Sequence, residues 1–539
     1  MNQYRYKGMS SGIGQVVVLS LVIVVVLVGF LGLQSPVTTT PMVVSSGSTD
    51  AVPVESLFMY CAAGIRKPVA EVAAAYAKES FGVPVELQYG GSNTLLSQLE
   101  VAGIGDVYLA ADEFYIEKAR EKKLVKEAVP ISWMGPVLAV KKGNPKNIKS
   151  ADDLLKPGLR IGAGNPDQAA VGRKTRKLLT KSGHWDGVKT AIETNGVFKP
   201  TVNEVANDVK IGSIDVAIIW DSTVAQYDDL EAVRIPELEA GRSKVMVSVM
   251  ASAKSPTLAL QFCRYLGAKD KGLPVFKKYG FDIVEGDAWA RVPEITVFSG
   301  GVNRVAVEDT IKEFEAREQV KINTVYNGCG ILVAQMKGIQ SGSLNTMFPG
   351  AYFACDISFM EAVQDDFLPA INLTNTDMVI ITPPDNPNQI KTLNDLTNSG
   401  LKVGVANPDE SALGDLTRKL LQSMALYDQV EANVATKTPT ADLLVHEVRV
   451  KALDAAIVYR ANTIKAAEHL NVVDIDHELA QATQPYAVAK NSDHRHTLER
   501  LMEAIQSANS QDRYTSSGFN WLPESDKSDQ SSNPSTVAK

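Results

Sequence analysis

The chain repeats itself over most of its 539 residues, and this duplication limits its fold more than any other feature. The segment MYCAAGIRKPVAEVAAAYAKE is matched downstream by TVFSGGVNRVAVEDTIKEFEARE, with Cys61 opposite Phe298 at an offset of 237 residues. The segment RIGAGNPDQAAVGRKTRKLL is matched by KVGVANPDESALGDLTRKLL, with Asn165 opposite Asn407 at an offset of 242 residues. The matched segments keep their order and the offset drifts little. Two tandem copies are therefore indicated, with a period far longer than that of a solenoid repeat.

Each copy alternates short apolar strands with amphipathic helices. In the first copy, LFMYCAA is a strand pattern, PVAEVAAAYAKE has apolar residues at helical spacing, and VPVELQY alternates as a strand again. Such alternation predicts parallel sheets with helices on both faces. Because a copy of about 230 residues exceeds one typical α/β unit, we expect two lobes per copy. The predicted modules span residues 56–290 and 291–523.

The two ends of the chain differ from these modules. Segment 1–33 ends in an uncharged apolar run that is long enough for a transmembrane helix, VVVLSLVIVVVLVGFLGL. Arg5 and Lys7 precede this run, which favours a cytoplasmic position for that end. A cleaved secretory signal is the alternative, and either one exports the rest of the chain. Segment 34–55 is rich in Ser, Thr and Pro, which predicts a flexible linker, and segment 524–539 is predicted to be disordered.

Composition and motifs exclude several classes of protein. Acidic residues outnumber basic ones by 62 to 54, so no basic surplus is available to neutralise nucleic-acid phosphates. Four cysteines in a chain of this length do not indicate a disulfide framework, and none of them shows CxxC spacing, which argues against zinc ribbons and thioredoxin-like motifs. HExxH, GxSxG and Walker patterns are absent from the sequence. We therefore expect a protein that is not an enzyme and needs no cofactor.

Several strand-to-helix turns open their helices with small or polar residues. In the first copy these turns are CAAG, YGGSN, NPDQAAVG and PTV, which begin at Cys61, Tyr89, Asn165 and Pro200. Each helix start carries unpaired backbone N–H groups and a partial positive charge, and both favour an anion. In open α/β sheets such turns lie beyond the carboxyl ends of the strands, where ligands bind. The alternative is that residues such as Ser92 merely cap their own helices.

The ordered set of these segments resembles the periplasmic molybdate-binding proteins, the type II solute-binding partners of ABC importers. The first copy carries the resemblance in CAAGI, SNTLLSQLE, DVYLAAD, GNPDQAAVG, AIIWDS and FKKYGFDI, and the second copy follows more loosely as far as YTSSGFNW. The resemblance implies two tandem modules of the periplasmic-binding-protein type, each with two α/β lobes that close on a ligand. It also implies an extracytoplasmic protein that delivers molybdate or tungstate to an ABC permease.

The resemblance further implies a set of ligand-binding residues. The family holds a tetrahedral oxyanion with two serine hydroxyls, backbone N–H groups and a tyrosine hydroxyl. The corresponding positions are Gly64, Ser92, Val171, Val202 and Trp220 in the first copy and Gly301, Cys329, Leu413 and Tyr459 in the second. Glycine at both first-serine positions removes a hydroxyl, for which the Asn93 amide is a candidate substitute. A hydrogen bond to a charged group contributes ~1.5–3 kcal/mol, so the identity of the anion stays open.

Three further alternatives follow from individual residues. Asp167 and Asp221 could complete a metal-centred oxyanion site, whereas solvated or helix-capping carboxylates are the competing interpretation. Cys329, between two glycines at a predicted helix start, could be a reactive thiol or a buried, inert side chain. Because both copies lack the first serine, a membrane-tethered sensor or scaffold with altered or lost ligand binding is the alternative to import.

Overall fold

The computed structural model describes residues 56–80 and 82–523, all of which belong to one compact unit. The predicted anchor, linker and tail, at 1–33, 34–55 and 524–539, lie outside the described residues. Within the described part of the chain, no helix combines the length and the apolar character that crossing a membrane requires. We call residues 56–290 module 1 and residues 291–523 module 2.

Module 1 contains eleven strands and ten helices among its described residues. The strands are β1 (Leu57–Ala62), β2 (Val85–Gly90), β3 (Val107–Ala110), β4 (Val125–Met134), β5 (Pro136–Lys141), β6 (Ile161–Gly164), β7 (Val197–Lys199), β8 (Val216–Trp220), β9 (Leu230–Val233), β10 (Ser243–Met250) and β11 (Asp282–Ile283). The helices are Arg66–Glu79, Ser92–Ala102, Glu113–Glu121, Ala170–Lys181, Trp185–Asn195, Val202–Ile211, Asp221–Val224, Pro236–Glu239, Pro256–Leu266 and Gly272–Lys278, with short 3₁₀ helices at Ala63–Ile65 and Asp152–Leu155.

Module 2 repeats this order with small changes. Its strands are β12 (Glu294–Gly300), β13 (Lys321–Asn327), β14 (Ala351–Phe353), β15 (Ile371–Thr382), β16 (Val403–Ala406), β17 (Val434–Thr438), β18 (Ala455–Tyr459), β19 (Asn471–Asp474), β20 (Gln481–Val488) and β21 (Asn520–Trp521). Its helices are Arg304–Glu318, Cys329–Gln340, Ile357–Glu361, Ala412–Ser423, Tyr427–Glu431, Ala441–Arg449, Arg460–Thr463, Arg495–Ile505 and Ala508–Ser516, with 3₁₀ helices at Gly301–Asn303, Gln364–Asp366, Leu393–Thr397 and Ile464–His469.

Two separate sheets form the lobes of module 1. Lobe I holds six strands in the order β11-β4-β10-β3-β1-β2, and lobe II holds five in the order β7-β6-β8-β5-β9. The strands next to the turns, such as β1 with β2 and β6 with β8, pair in parallel. The chain crosses between the lobes at Gly135, between β4 and β5, and returns between β9 and β10. Two crossings of this kind form a hinge between the lobes.

Module 2 joins its lobes through one long strand. Strands follow the order β13-β12-β14-β20-β15-β18-β16-β17, and β15 also pairs with β19 and β21. Residues 371–377 of β15 pair with β20 in lobe I, whereas residues 378–381 pair with β18 in lobe II. The predicted fold, two tandem modules of two α/β lobes each, is therefore confirmed.

The strand register aligns the two modules differently from the sequence-based alignment. Cys61 pairs with Tyr89 in module 1, and Ser299 pairs with Tyr326 in module 2. Cys61 therefore corresponds to Ser299 rather than to Phe298, and the match of Gly64 with Gly301 is wrong by one residue. The 3₁₀ turns agree with this shift, because one covers residues 63–65 and the other covers residues 301–303. Consecutive glycines in module 2 made this one-residue shift invisible in the sequence.

Polar contacts join lobe I of module 1 to lobe I of module 2. The Asp287 carboxylate accepts hydrogen bonds from the backbone N–H groups of His496 and Thr497 at 2.8 and 2.9 Å, so it caps the helix Arg495–Ile505 of the other module. Arg317 forms a two-pronged ion pair with Glu127 at 2.6 and 2.7 Å. These contacts connect the two lobes I while the two lobes II take no part in them.

A buried ion pair lies behind this interface. Arg500 donates to both carboxylate oxygens of Glu318 at 2.6 and 2.9 Å, and their side chains are only 5% and 1% exposed. Removal of one member of such a pair leaves an uncompensated buried charge.

We expect Glu318→Gln to lower the free energy of unfolding by about 3–5 kcal/mol, because Arg500 then stays charged and buried. Urea denaturation followed by circular dichroism measures the change. The matched control is Glu294→Gln, which removes an exposed ion pair with Lys321 and should change the stability by less than about 1 kcal/mol. Equal effects of the two substitutions would contradict the structural role of the buried pair.

Candidate ligand-binding clefts

One glycine in each module brings the two lobes into backbone contact. A Cβ atom on Gly91 would lie 2.4 Å from the carbonyl oxygen of Gln168 and 2.7 Å from that of Pro200. A Cβ atom on Gly328 would lie 2.3 Å from the carbonyl oxygen of Glu410 and 2.8 Å from that of Pro439. Any side chain at either glycine would force the lobes apart, so both modules are closed by the same contact.

Hydrogen bonds reinforce this contact between the lobes. The Asn93 backbone N–H donates to the Gln168 carbonyl at 3.2 Å, and its side-chain amide donates to the Asp167 carbonyl at 2.7 Å. In module 2 the Gly330 N–H donates to the Glu410 carbonyl at 3.0 Å. Asn93, which the resemblance made a candidate donor to a ligand, uses these N–H groups to hold lobe II.

Side chains fill the centre of the cleft in module 1. The structure brings Gly64, Val202 and Trp220 together, as predicted from the sequence. However, a Cβ atom on Gly64 would lie 2.8 Å from Val202 Cγ2, 3.2 Å from Thr223 Oγ1 and 3.8 Å from Trp220 Cδ1. Val202 begins its helix and Trp220 ends β8 with only 1% of its surface exposed. The Val202 methyl group, the Thr223 hydroxyl and the Trp220 ring therefore occupy the space in front of the first turn.

The other two predicted residues of module 1 lie at buried helix starts. Ser92 begins the helix Ser92–Ala102, and its Oγ accepts the Ala111 N–H at 3.2 Å. Val171 is the second residue of the helix Ala170–Lys181 and is fully buried. The Ser92 hydroxyl thus connects the second turn with the end of β3 in the same lobe.

Module 2 keeps a cavity at the equivalent place. Its volume is about 20 Å³, and the predicted residues Gly301, Leu413 and Tyr459 line it. A Cβ atom on Gly301 would meet only the Asn327 carbonyl oxygen, at 3.9 Å. Ala441 stands where module 1 has the larger Val202, whereas Val302, which also lines the cavity, stands at the position of Gly64. The other lining residues are Val302, Asn327, Gly328, Cys355, Ser411, Pro439, Thr440, Asp442 and Asn462.

Two of the residues that line this cavity carry a buried polar atom without a hydrogen-bond partner among the described residues. These atoms are Tyr459 Oη and Asn462 Oδ1. The Asn462 amide nitrogen donates to Asp442 Oδ1 at 2.9 Å. Burial raises the pKa of the Tyr459 hydroxyl well above its usual value, and the charges of Asp356 and Asp415 raise it further. The phenol therefore stays protonated and can donate to a ligand.

Sequence reasoning missed Asp442 and Asn462. Asp442 corresponds to Asn203 of module 1, and Asn462 corresponds to Thr223. The available signal was their position, since Asp442 follows Ala441 at the second-copy counterpart of the PTV turn, and Asn462 lies three residues after Tyr459.

A disulfide replaces a hydrogen bond beside the module 2 cavity. Cys329, at the position of Ser92, is bonded to Cys355, at the position of Ala111. Cys329 therefore has no thiol, and the expectations that it donates to a ligand or reacts as a nucleophile are both wrong. Cys61 and Cys263 are free, and burial raises the pKa of both thiols.

A salt bridge ties the lobes of module 1 together at the rim of the cleft. Asp112, at the end of β3, accepts from Arg173 at 2.7 Å and lies 3.3 Å from the Lys174 ammonium, both on lobe II. The Arg173 guanidinium also stacks on the Phe114 ring, 3.7 Å from its centre. We call the ion pair of Arg173 with Asp112 the latch. The Asp112 side chain is only 1% exposed, so this ion pair is shielded from water.

The same positions in module 2 cannot form the latch. Asp356 replaces Asp112, but Asp415 and Leu416 stand where Arg173 and Lys174 stand in module 1. Asp415 pairs instead with Arg418 at 2.6 Å on its own helix. Closure of module 2 therefore lacks the ion pair that holds module 1.

The two candidate metal-site carboxylates have other partners. Asp221 Oδ1 accepts the N–H of Gly135 at the lobe crossing, and Oδ2 pairs with Arg234 at 3.0 Å. Asp167 is 77% exposed and pairs with Arg176 at 3.0 Å. Among the residues that the structure describes, no three His, Cys, Asp or Glu side chains are grouped to hold a metal ion. Both carboxylates thus follow the competing interpretation of surface or capping groups.

A family profile identifies the class of protein to which the two modules belong. The profile described as "Bacterial extracellular solute-binding protein" matches residues 57–282 and again residues 295–520. The chain belongs to this family in two tandem copies, as the resemblance in the sequence predicted. It is a family of substrate-binding proteins rather than of enzymes.

Individual relatives match the length of one module. A putative binding protein of Haemophilus influenzae is 27% identical over 246 residues, which cover 46% of this chain and 97% of the relative. The molybdate-binding protein ModA of Mycobacterium tuberculosis is 25% identical over 243 residues, 44% of this chain and 89% of the relative. Among solved structures, the substrate-binding domain of a putative molybdenum ABC transporter from Clostridium difficile is 22% identical, covers 43% of this chain and 99% of that one, and has a TM-score of 0.33.

We expect two of the four cysteines of the exported protein to react with a thiol reagent after denaturation without reduction, and all four after reduction, because Cys329 and Cys355 are bonded. Mass spectrometry of the alkylated chain counts the labels. Four labels before reduction would contradict the disulfide.

We expect Arg173→Ala to loosen module 1, because Asp112 loses its nearer cation. Hydrogen exchange of the Asn93 amide, which is bonded across the cleft, should accelerate by roughly tenfold or more. The Gly330 amide of module 2 is the internal reference. Arg176→Ala, which removes only the exposed pair with Asp167, should leave both amides unchanged, and equal acceleration in the two variants would contradict the latch.

Proposed function

We propose that the protein is an extracytoplasmic solute-binding protein that captures a small oxyanion in module 2 and delivers it to an ABC-type permease. The observation that carries the proposal is the pair of buried, unpartnered polar atoms, Tyr459 Oη and Asn462 Oδ1, on residues lining the cavity. Buried polar groups are normally satisfied. Module 1 also buries unpartnered atoms, at Asn203 and Thr223, but in module 2 they belong to residues that line a cavity which a ligand can enter.

Helix starts supply the attraction for an anion. The helices Ala412–Ser423 and Ala441–Arg449 begin at the cavity, and their first N–H groups have no partner within the helix. The partial positive charge of these ends is strongest where water is excluded. Tyr459 adds a neutral hydroxyl donor. No lysine or arginine is present among the described residues that line the cavity, so the charge of the ligand would be balanced by dipoles.

The small volume limits the kind of ligand. A cavity of about 20 Å³ holds one or two water molecules, so a sugar or a peptide is too large for this closed state. A tetrahedral oxyanion is larger than one or two water molecules and enters only when the two lobes move apart. Molybdate and tungstate belong to this size class, and several relatives are named as molybdate-binding proteins.

The disulfide supports export. Disulfides persist in oxidising compartments outside the cytoplasm, and Cys329–Cys355 lies in the folded part of the chain. We therefore place the modules outside the cytoplasmic membrane, tethered by the apolar segment within residues 1–33 or released after its cleavage. The membrane and the permease are the proposed partners, and nucleic acid is not one of them.

Module 1 suits a scaffold rather than a second binding site. Val202 and Trp220 fill the space in front of Gly64, and the Arg173–Asp112 latch holds the lobes without a ligand. The alternative of a module that keeps the fold after losing its ligand thus applies to module 1.

Titration calorimetry of the whole chain with molybdate, tungstate, sulfate and phosphate tests the proposal. We expect at least one of these ions to bind, and Tyr459→Phe to weaken it by roughly ten- to a hundredfold, because one hydrogen bond to a charged ligand is lost. The matched control is Thr223→Val, which removes an unpartnered hydroxyl in module 1 and should leave the affinity unchanged. Absence of binding by all four ions, or equal losses in the two variants, would contradict oxyanion capture by module 2.

A further inference from the structure

We propose that module 2 selects an oxyanion that retains a proton, such as hydrogenphosphate or hydrogenarsenate, over fully deprotonated sulfate and molybdate. The proposal rests on oxyanion capture by module 2 and names the chemical class of its ligand. The residues that make the selection are Asn462 and Asp442.

The orientation of the Asn462 amide follows from its neighbour. An ionised carboxylate has only acceptor oxygens, so the Asn462 group that faces Asp442 Oδ1 at 2.9 Å must be the NH₂. The Asn462 oxygen consequently points away from Asp442. It is an acceptor with no donor among the described residues, on a side chain at the cavity that is only 8% exposed.

A ligand that satisfies this oxygen must donate a hydrogen bond. Sulfate and molybdate carry no proton near neutral pH, so all their oxygens are acceptors. Either ion would leave Asn462 Oδ1 unpaired, because an acceptor oxygen of the ligand would face this acceptor oxygen and repel it. An oxyanion with one O–H group can donate to Asn462 and accept from Tyr459 and the helix N–H groups at the same time.

Three carboxylates lie at or near the cavity. The Asp442 carboxylate lines the cavity, and Asp356 and Asp415 are close enough to act on the Tyr459 hydroxyl. Arg418 and Lys419 neutralise Asp415 from its own helix. Asp356 is satisfied by hydrogen bonds from Ser358 and Thr483 rather than by a cation. Hydrogenphosphate and hydrogenarsenate carry the same charge as sulfate and molybdate, so these carboxylates repel all four ions alike and only the proton on the ligand distinguishes them.

Module 1 lacks this arrangement. Its counterparts are Asn203 and Thr223, whose Oδ1 and Oγ1 atoms are both buried without a partner among the described residues. Neither residue carries a carboxylate, so module 1 has no counterpart of the Asp442 carboxylate that orients the Asn462 amide in module 2. The pairing of an amide with a carboxylate is therefore a property of module 2 alone.

Competitive titration of the whole chain with phosphate, arsenate, sulfate and molybdate at neutral pH tests the proposal. We expect phosphate and arsenate to bind at least tenfold more tightly than sulfate and molybdate. In Asp442→Asn the new amide can donate to the Asn462 oxygen, so Asn462 can turn its NH₂ toward the ligand. The preference should then shift by tenfold or more toward sulfate and molybdate.

Asp409→Asn is the matched control. It removes the same charge from module 2 at a side chain that is 89% exposed and does not line the cavity, so the ranking should not change. Thermal unfolding of each variant verifies that it is folded. Tighter binding of sulfate or molybdate by the original chain, with no shift in Asp442→Asn, overturns this selection and leaves oxyanion capture intact. Absence of binding by all four ions overturns the proposed function together with the selection.

Discussion

The backbone contact at Gly91 and Gly328 is the constraint on which both clefts depend. Each glycine lies at the start of a lobe I helix and packs against two carbonyl oxygens of lobe II. A Cβ atom on either glycine would come closer to these oxygens than van der Waals contact allows. This contact brings helix starts from both lobes to one point. Without it the N–H groups of those helices would face solvent, and the partial charge that attracts an anion would be screened.

The two modules keep this constraint and differ in what it encloses. Module 1 packs Val202 against Gly64 and adds the Arg173–Asp112 latch, so its closure needs no ligand. Module 2 has Ala441 at the position of Val202 and Tyr459 at the position of Trp220, and its cleft contains a small polar cavity. Lobe I of one module joins lobe I of the other through Asp287 and Arg317, and lobe II of module 2 takes no part in these contacts. Duplication thus produced one cleft that side chains fill and one that keeps a small polar cavity.

The repeat, the α/β alternation and the turns at helix starts could be predicted from the sequence, because each leaves a local pattern. The partners across the cleft could not. The turn sequence suggests a free amide at Asn93, yet the partner of that amide lies 74 residues away, in the other lobe. Cys329 and Cys355 are 26 residues apart without a known motif, so their bond follows only from the position of β14 beside the helix start. Consecutive glycines hid the register of the first turn, and the Asp442–Asn462 pair joins two segments that are adjacent only in space.

Anomalous diffraction from crystals of the whole chain grown with arsenate tests the central claim most directly, because arsenic scattering locates the ion without reference to any assumed site. We predict one strong peak per chain, in module 2, within hydrogen-bond distance of Tyr459 Oη and Asn462 Oδ1. We predict no peak between Gly64 and Trp220 in module 1. A peak in module 1 with an empty module 2 would contradict the assignment of ligand capture to the second module.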